Sequence, residues 1–198
     1  MRYQKLNVNI DCQPENYIYL ALLCLTFPVR WIAAMIVAVL VHELSHVVMI
    51  LLLKENIRKI RIGLRGAVIK TAQMEGWKEC LCALAGPIGS FSLLLFVKCF
   101  PRAACCGLIQ GCYNLLPMYP LDGGRIVLCV LKAMYPVQKA EAISRSILYM
   151  TVILILCIGL WSCFVLKMGV LPVAVSLGIL SGTVERKISC KECQVGVQ

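Results

Sequence analysis

The sequence predicts an all-α polytopic membrane protein with about six transmembrane helices, and three observations carry that prediction. Hydrophobic residues make up 60% of the 198-residue chain, and the mean hydropathy is +0.83. A soluble domain is usually about 45–50% apolar. The apolar residues lie in long runs between short polar segments, and the basic residues concentrate in alternate segments. This pattern is typical of a chain that crosses a bilayer several times.

The predicted spans follow from the apolar runs, since a spanning helix needs about 20 apolar residues. In chain order they are Tyr17–Phe27, Trp31–Leu53, Glu79–Phe100, Ala103–Tyr119, Ala142–Leu166 and Met168–Ser181. A short amphipathic helix is predicted at Arg125–Tyr135. Residues 1–182 are therefore predicted to form one integral-membrane domain, and residues 183–198 a short cytoplasmic tail. The polar N-terminal segment has no apolar core of the signal-peptide type, so we expect it to precede the first span directly.

The charge distribution predicts the orientation of the chain. The formal net charge is +10, with 20 Lys and Arg against 10 Asp and Glu. With the N-terminus in the cytoplasm, the cytoplasmic segments carry sixteen of the Lys and Arg residues and the outer segments carry four. The positive-inside rule then predicts a multi-pass protein of the cell membrane with both termini cytoplasmic. The basic charge is explained by this bias, so nucleic acid is not expected as a partner.

One segment departs from the helical pattern. Near residues 57–70, Ile60 and Ile62 alternate with Arg61 and Gly63, and a period of two predicts a half-buried strand. We expect a short membrane-associated β segment with an edge open to an extended peptide. A solvated basic loop that binds anionic lipid is the alternative.

The second predicted span carries HELSH at its centre, and with it the only two histidines of the chain, His42 and His46. Residues at i and i+4 share one face of a helix, so both imidazoles can reach one Zn²⁺. Glu43 lies next to the first of them and could act as general base for a water on the metal. Each polar group at mid-bilayer costs about 2–3 kcal/mol, so a role in packing alone is disfavoured.

A catalytic zinc site needs a third protein ligand, and the sequence offers Asp122 for it. Four other acidic residues are excluded by their position, because they lie before the first span or in the tail. Asp122 follows Pro117 and Pro120 in NLLPMYPLDGGR, where prolines and glycines break the helix. Broken helices at membrane depth are tolerated where they line a cavity, which is a suitable place for a ligand.

These motifs resemble the site-2 protease family (M50) of intramembrane zinc metalloproteases. That family combines H-E-x-x-H with N-x-x-P-x-x-x-L-D-G, and the second motif is matched here by Asn114, Pro117, Leu121, Asp122 and Gly123. AGPIGS at 85–90 also resembles the third core span of the family.

The resemblance implies that His42, His46 and Asp122 bind one Zn²⁺ per chain and that Glu43 is the base. It also implies that Asn114 helps to hold the substrate or its oxyanion, and that the strand segment corresponds to the membrane-embedded sheet of the family.

Within the family, the six-span layout is most similar to the sporulation proteases that release a membrane-tethered pro-sigma factor, here expected without their CBS domain. The implied activity is hydrolysis of peptide bonds in or near transmembrane segments of membrane-tethered proteins. The lipid bilayer and such a substrate are the expected partners, with a regulatory membrane partner or a homo-oligomer as further options. A membrane metal-ion transporter using the same His and Asp residues is the alternative, as is an inactive relative that only binds a partner. Glu43 favours the enzyme, because hydrolysis requires a base and zinc binding does not.

Overall fold

The computed structural model describes residues 7–10, 24–55, 57–63, 66–71, 76–119 and 121–164, and these residues are mostly helical. Most of the first predicted span, the whole of the last one and the tail at 183–198 lie outside the described residues. The chain divides into two compact units, Met1–Asn114 and Leu115–Gln198.

Three helices form the framework of the first unit. Helix α1 covers Val29–Leu52, α2 covers Gly76–Ser92 and continues as a 3₁₀ turn at Leu93–Phe96, and α3 covers Pro101–Asn114. The three helices pack against one another. The buried cluster between α1 and α3 consists mainly of small side chains, namely Ala34, Ala38, Ala103 and Cys106. Small residues allow helix backbones to approach closely, which is how helices associate where lipid removes the hydrophobic driving force.

The same unit contains a three-stranded sheet in the order β1-β2-β3. Strand β1 (Asn7–Ile10) pairs in parallel with β2 (Ile57–Gly63), and β2 pairs antiparallel with β3 (Gly66–Thr71). Helix α1 lies in the connection between the two parallel strands, which need a long crossover. Strands β2 and β3 fall in the segment where the sequence shows a period of two, whereas β1 was not predicted.

The second unit contains helix α4 (Asp122–Met134) and helix α5 (Val137–Phe164). Helix α4 occupies the place of the predicted amphipathic helix at Arg125–Tyr135. It begins three residues earlier, at Asp122. A Cβ on Gly124 would lie only 2.6 Å from the carbonyl oxygen of Met118, so glycine allows the start of α4 to fold back against the preceding turn.

Among the described residues, three helices are long and apolar enough to cross a membrane: Val29–Leu52, Gly76–Phe96 and Val137–Phe164. They correspond to the second, third and fifth predicted spans. Many of their large apolar side chains are exposed, as expected for surfaces that face lipid. The chain is therefore a membrane protein. Helix α3 has 14 residues and ends at Asn114, before Pro117, so it is shorter than the predicted span at Ala103–Tyr119 and shorter than the about 20 residues that a span needs.

Candidate metal centre

The two histidines of HELSH meet on one face of α1. The Nε2 atoms of His42 and His46 are 3.2 Å apart, and the two rings are nearly perpendicular with centroids 4.8 Å apart. Two imidazoles bound to one tetrahedral zinc, with Zn–N bonds of 2.0–2.1 Å, hold their nitrogens about 3.3 Å apart. His42 is buried, with 3% of its surface exposed, and His46 is partly buried. The spacing of the two donor atoms fits a shared zinc ion.

Helix α2 holds the other nitrogen of each ring. The Nδ1 of His46 is 2.7 Å from the carbonyl oxygen of Cys82, and the Nδ1 of His42 is 2.9 Å from the Oγ of Ser90. A carbonyl oxygen can only accept, so His46 carries its proton on Nδ1 and presents the Nε2 lone pair. Metal-binding histidines are usually oriented in this way by a carbonyl or another polar group on the second ring nitrogen.

The rings fit because α2 has a glycine, Gly86, where it faces them. A Cβ on Gly86 would lie 2.5 Å from the Cε1 of His46 and 2.7 Å from the Cε1 of His42. A Cβ on Gly89 would collide with Ser45, whose hydroxyl donates to the carbonyl of Val41 at 2.7 Å. Gly86 therefore leaves room for the two imidazole rings, and Gly89 allows α1 and α2 to pack closely.

The other predicted site residues lie at helix ends or beside the pair. Glu43 follows His42 on α1 and is partly buried. Asn114 is the last residue of α3, and its Nδ2 donates to the carbonyl of Gln110 at 3.1 Å. Asp122 opens α4 in the second unit and is 7% exposed, and its Oδ1 is 3.8 Å from the guanidinium of Arg125. The structure thus brings His42 and His46 together, while the roles of the other three residues stay predictions.

The sequence reasoning missed Ser90 and the carbonyl of Cys82. Both belong to α2, and Ser90 is the last residue of the AGPIGS segment. A signal was available, since Cys82, Gly86 and Ser90 recur every four residues and therefore share one face of α2. What could not be read from the sequence was that this face is directed at HELSH, because the contact joins residues 36 and 48 positions apart.

Two family models match the chain. Residues 16–115 match the family described as Peptidase M50B-like, and residues 83–158 match Peptidase family M50. The chain belongs to the M50 peptidase family. This confirms the family that HELSH and the Asn114–Gly123 motif indicated.

Individual M50 relatives extend the similarity along most of the chain. A zinc metalloprotease of Methanocaldococcus jannaschii is 29% identical over 160 residues, which are 74% of this chain and 46% of the relative. Stage IV sporulation protein FB of Bacillus subtilis is 23% identical over 183 residues, 85% of this chain and 62% of the relative. The chain thus spans about half the length of one of these M50 proteins and about three fifths of the other.

The fold agrees with that of a solved member of the family. The structure of a site-2 protease from Methanocaldococcus jannaschii superposes with a TM-score of 0.64 at 23% sequence identity. The match covers 93% of this chain and 92% of that one. The M50 chain described here therefore has the fold of a site-2 protease.

Proposed function

We propose that this M50 chain is a zinc-dependent intramembrane endopeptidase. The observation that carries the proposal is the convergence of two imidazole Nε2 atoms, 3.2 Å apart, on a helix apolar enough to cross a membrane. Two imidazoles at that spacing, His42 buried and His46 partly buried, suit a shared metal ion, and membership of a peptidase family supplies the reaction class.

In this proposal His42, His46 and Asp122 hold one zinc ion per chain. Two imidazoles and a carboxylate leave one position open for water, as in catalytic rather than structural zinc sites. Asp122 suits the part because it is buried and lies just after the proline-broken segment, at the first turn of α4. The Arg125 guanidinium is at 3.8 Å from the Oδ1 of Asp122 and favours the ionised carboxylate that a metal ligand must provide.

Zinc, Glu43 and Asn114 have separate roles in the proposed hydrolysis. Zinc, when bound, lowers the pKa of a water toward neutrality and polarises the scissile carbonyl. Glu43 accepts the proton of the attacking water and returns it to the leaving amine nitrogen. Asn114 donates to the substrate carbonyl oxygen as negative charge develops there. An amide has two N–H groups, so the bond to Gln110 leaves one of them for the substrate.

The proposed substrate is a transmembrane segment, or its flank, in a membrane-tethered protein such as a transcription or sigma factor. A helical peptide bond is shielded by its own hydrogen bonds, so the cleaved segment must be extended. Strand β3 lies at an edge of the described three-stranded sheet, and an edge can pair with an extended peptide. We place the sheet at the membrane, in a multi-pass chain with both termini cytoplasmic. The charge bias supports that orientation.

Cleavage is expected to require the metal. The test uses the full chain in vesicles with tagged, membrane-tethered pro-sigma factors, and follows release of the tagged fragment on gels. A zinc chelator should reduce release to background, and added zinc should restore it, whereas added magnesium should not. Release that continues unchanged in the chelated protein would contradict the proposal.

The ligand set is tested separately by metal content. Asp122→Ala is expected to lower zinc affinity more than 100-fold, because removal of a ligand should exceed the about 10–100-fold typical of its outer-shell partners. The matched control is Glu141→Ala, which removes an exposed carboxylate from α5. Competition with a chromophoric chelator gives both affinities. Undiminished zinc binding by the Asp122 variant would remove this residue from the ligand set.

A further inference from the structure

We propose that Ser90 is a positioning residue for the metal: its hydroxyl selects the tautomer and orientation of His42. The Ser90 hydroxyl and the carbonyl of Cys82 both belong to α2, and together they direct the Nε2 atoms of His42 and His46 to one place. We call these two groups the α2 support. The inference rests on the proposed zinc site and adds to it a residue that touches neither metal nor substrate.

The support is built into one face of α2. Cys82 and Ser90 are two helical turns apart, and Gly86 lies between them where the rings pass. Ser90 is 0% exposed and Cys82 is 3% exposed, so both residues that α2 offers to the rings are buried. The two contacts measure 2.9 Å to His42 and 2.7 Å to His46, which are ordinary hydrogen-bond lengths.

The two contacts differ in what they can enforce. The carbonyl of Cys82 only accepts, so it fixes the proton of His46 on Nδ1 whatever the metal does. The hydroxyl of Ser90 can donate or accept. When the Nε2 of His42 faces a cation, its Nδ1 must carry the proton, and the Ser90 oxygen is placed to accept it. Ser90 therefore stabilises the tautomer of His42 that can bind a metal.

The Cys82 contact and the Ser90 contact also differ in their sensitivity to mutation. A backbone carbonyl survives any substitution at Cys82, so His46 keeps its partner. The partner of His42 is a side-chain oxygen, and Ser90→Ala removes that one atom with little other change. In the variant the buried Nδ1 of His42 loses the hydroxyl oxygen that accepted its proton.

The experiment compares Ser90→Ala with Ser92→Ala in the full-length protein in detergent. Ser92 is two residues away on the same helix, and its hydroxyl donates to the carbonyl of its own helix at Gly89, 2.7 Å away. Zinc affinity is measured by chelator competition, cobalt substitution reports the ligand geometry by visible absorption, and thermal melting of the metal-free protein reports stability.

Ser90→Ala is expected to bind zinc about 10–100-fold more weakly, as loss of an outer-shell partner does, and to shift the cobalt bands. Ser92→Ala should do neither, and the two metal-free variants should melt within a few degrees of each other. Native zinc affinity and native cobalt bands in Ser90→Ala would overturn the inference. So would a loss of affinity matched by equal destabilisation of the metal-free protein.

Failure of this inference is distinguishable from failure of the proposed function. A native chain that binds no zinc contradicts the zinc protease itself, and with it the role of Ser90. A native chain that binds zinc and cleaves, together with a Ser90→Ala variant that binds zinc equally well, contradicts the positioning role alone.

Discussion

Glu43→Gln is expected to abolish cleavage while leaving the zinc site loaded. Glutamine has nearly the shape of glutamate but cannot take a proton from the attacking water, and loss of a general base costs about 10²–10⁴ in rate. Zinc affinity should stay within about threefold of native, because His42 and His46 and their partners on α2 are untouched. Fragment release from a tagged membrane-tethered substrate and chelator competition measure the two quantities on the same preparation.

The control for the loss of a carboxylate is Glu141→Gln, at an exposed position on α5. That variant should cleave and bind zinc as the native chain does. Cleavage by Glu43→Gln at the native rate would refute the assigned base. Loss of zinc from Glu43→Gln would instead indicate that Glu43 takes part in metal binding, as in a metal-transport protein.

Gly86→Ala is expected to destroy the metal centre by a steric effect. The added methyl would lie 2.5 Å from the Cε1 of His46 and 2.7 Å from the Cε1 of His42, distances that van der Waals contact does not permit. Neither ring can swing aside without losing its hydrogen bond to α2, so either the rings or the helices must separate. We expect zinc affinity to fall more than 100-fold, and overpacking to cost about 1–3 kcal/mol of stability.

Gly76→Ala provides the matched control for this substitution. It adds the same methyl at the start of the same helix, where nothing lies within 4 Å. Alanine also has the higher helix propensity, so this variant should be at least as stable as the native chain. Thermal melting and chelator competition compare the two variants. A Gly86→Ala protein that binds zinc with native affinity would show that α2 does not confine the histidines.

Much of the framework was predictable because membrane spans are encoded locally. Length and hydropathy located the helices at Val29–Leu52 and Val137–Phe164, and alternation located the strands near residues 57–70. The span predicted at Ala103–Tyr119 was longer than the helix that forms, which ends at Asn114, because apolar composition continues past the point where Pro117 restricts the backbone. Strand β1 was missed because its hydrogen bonds are made with residues about 50 positions away, across α1.

At the candidate metal centre, the sequence accounts for the position of the two histidines, and the packing of the helices accounts for their orientation. The spacing of HELSH placed His42 and His46 on one face, since i and i+4 coincide on any α-helix. Which nitrogen each ring presents is not a property of α1, because it depends on the acceptor that binds the other nitrogen. Those acceptors, Ser90 and the carbonyl of Cys82, belong to α2. Only the packing of α2 against α1, made close by Gly86, directs the Nε2 atoms of the two histidines to one place.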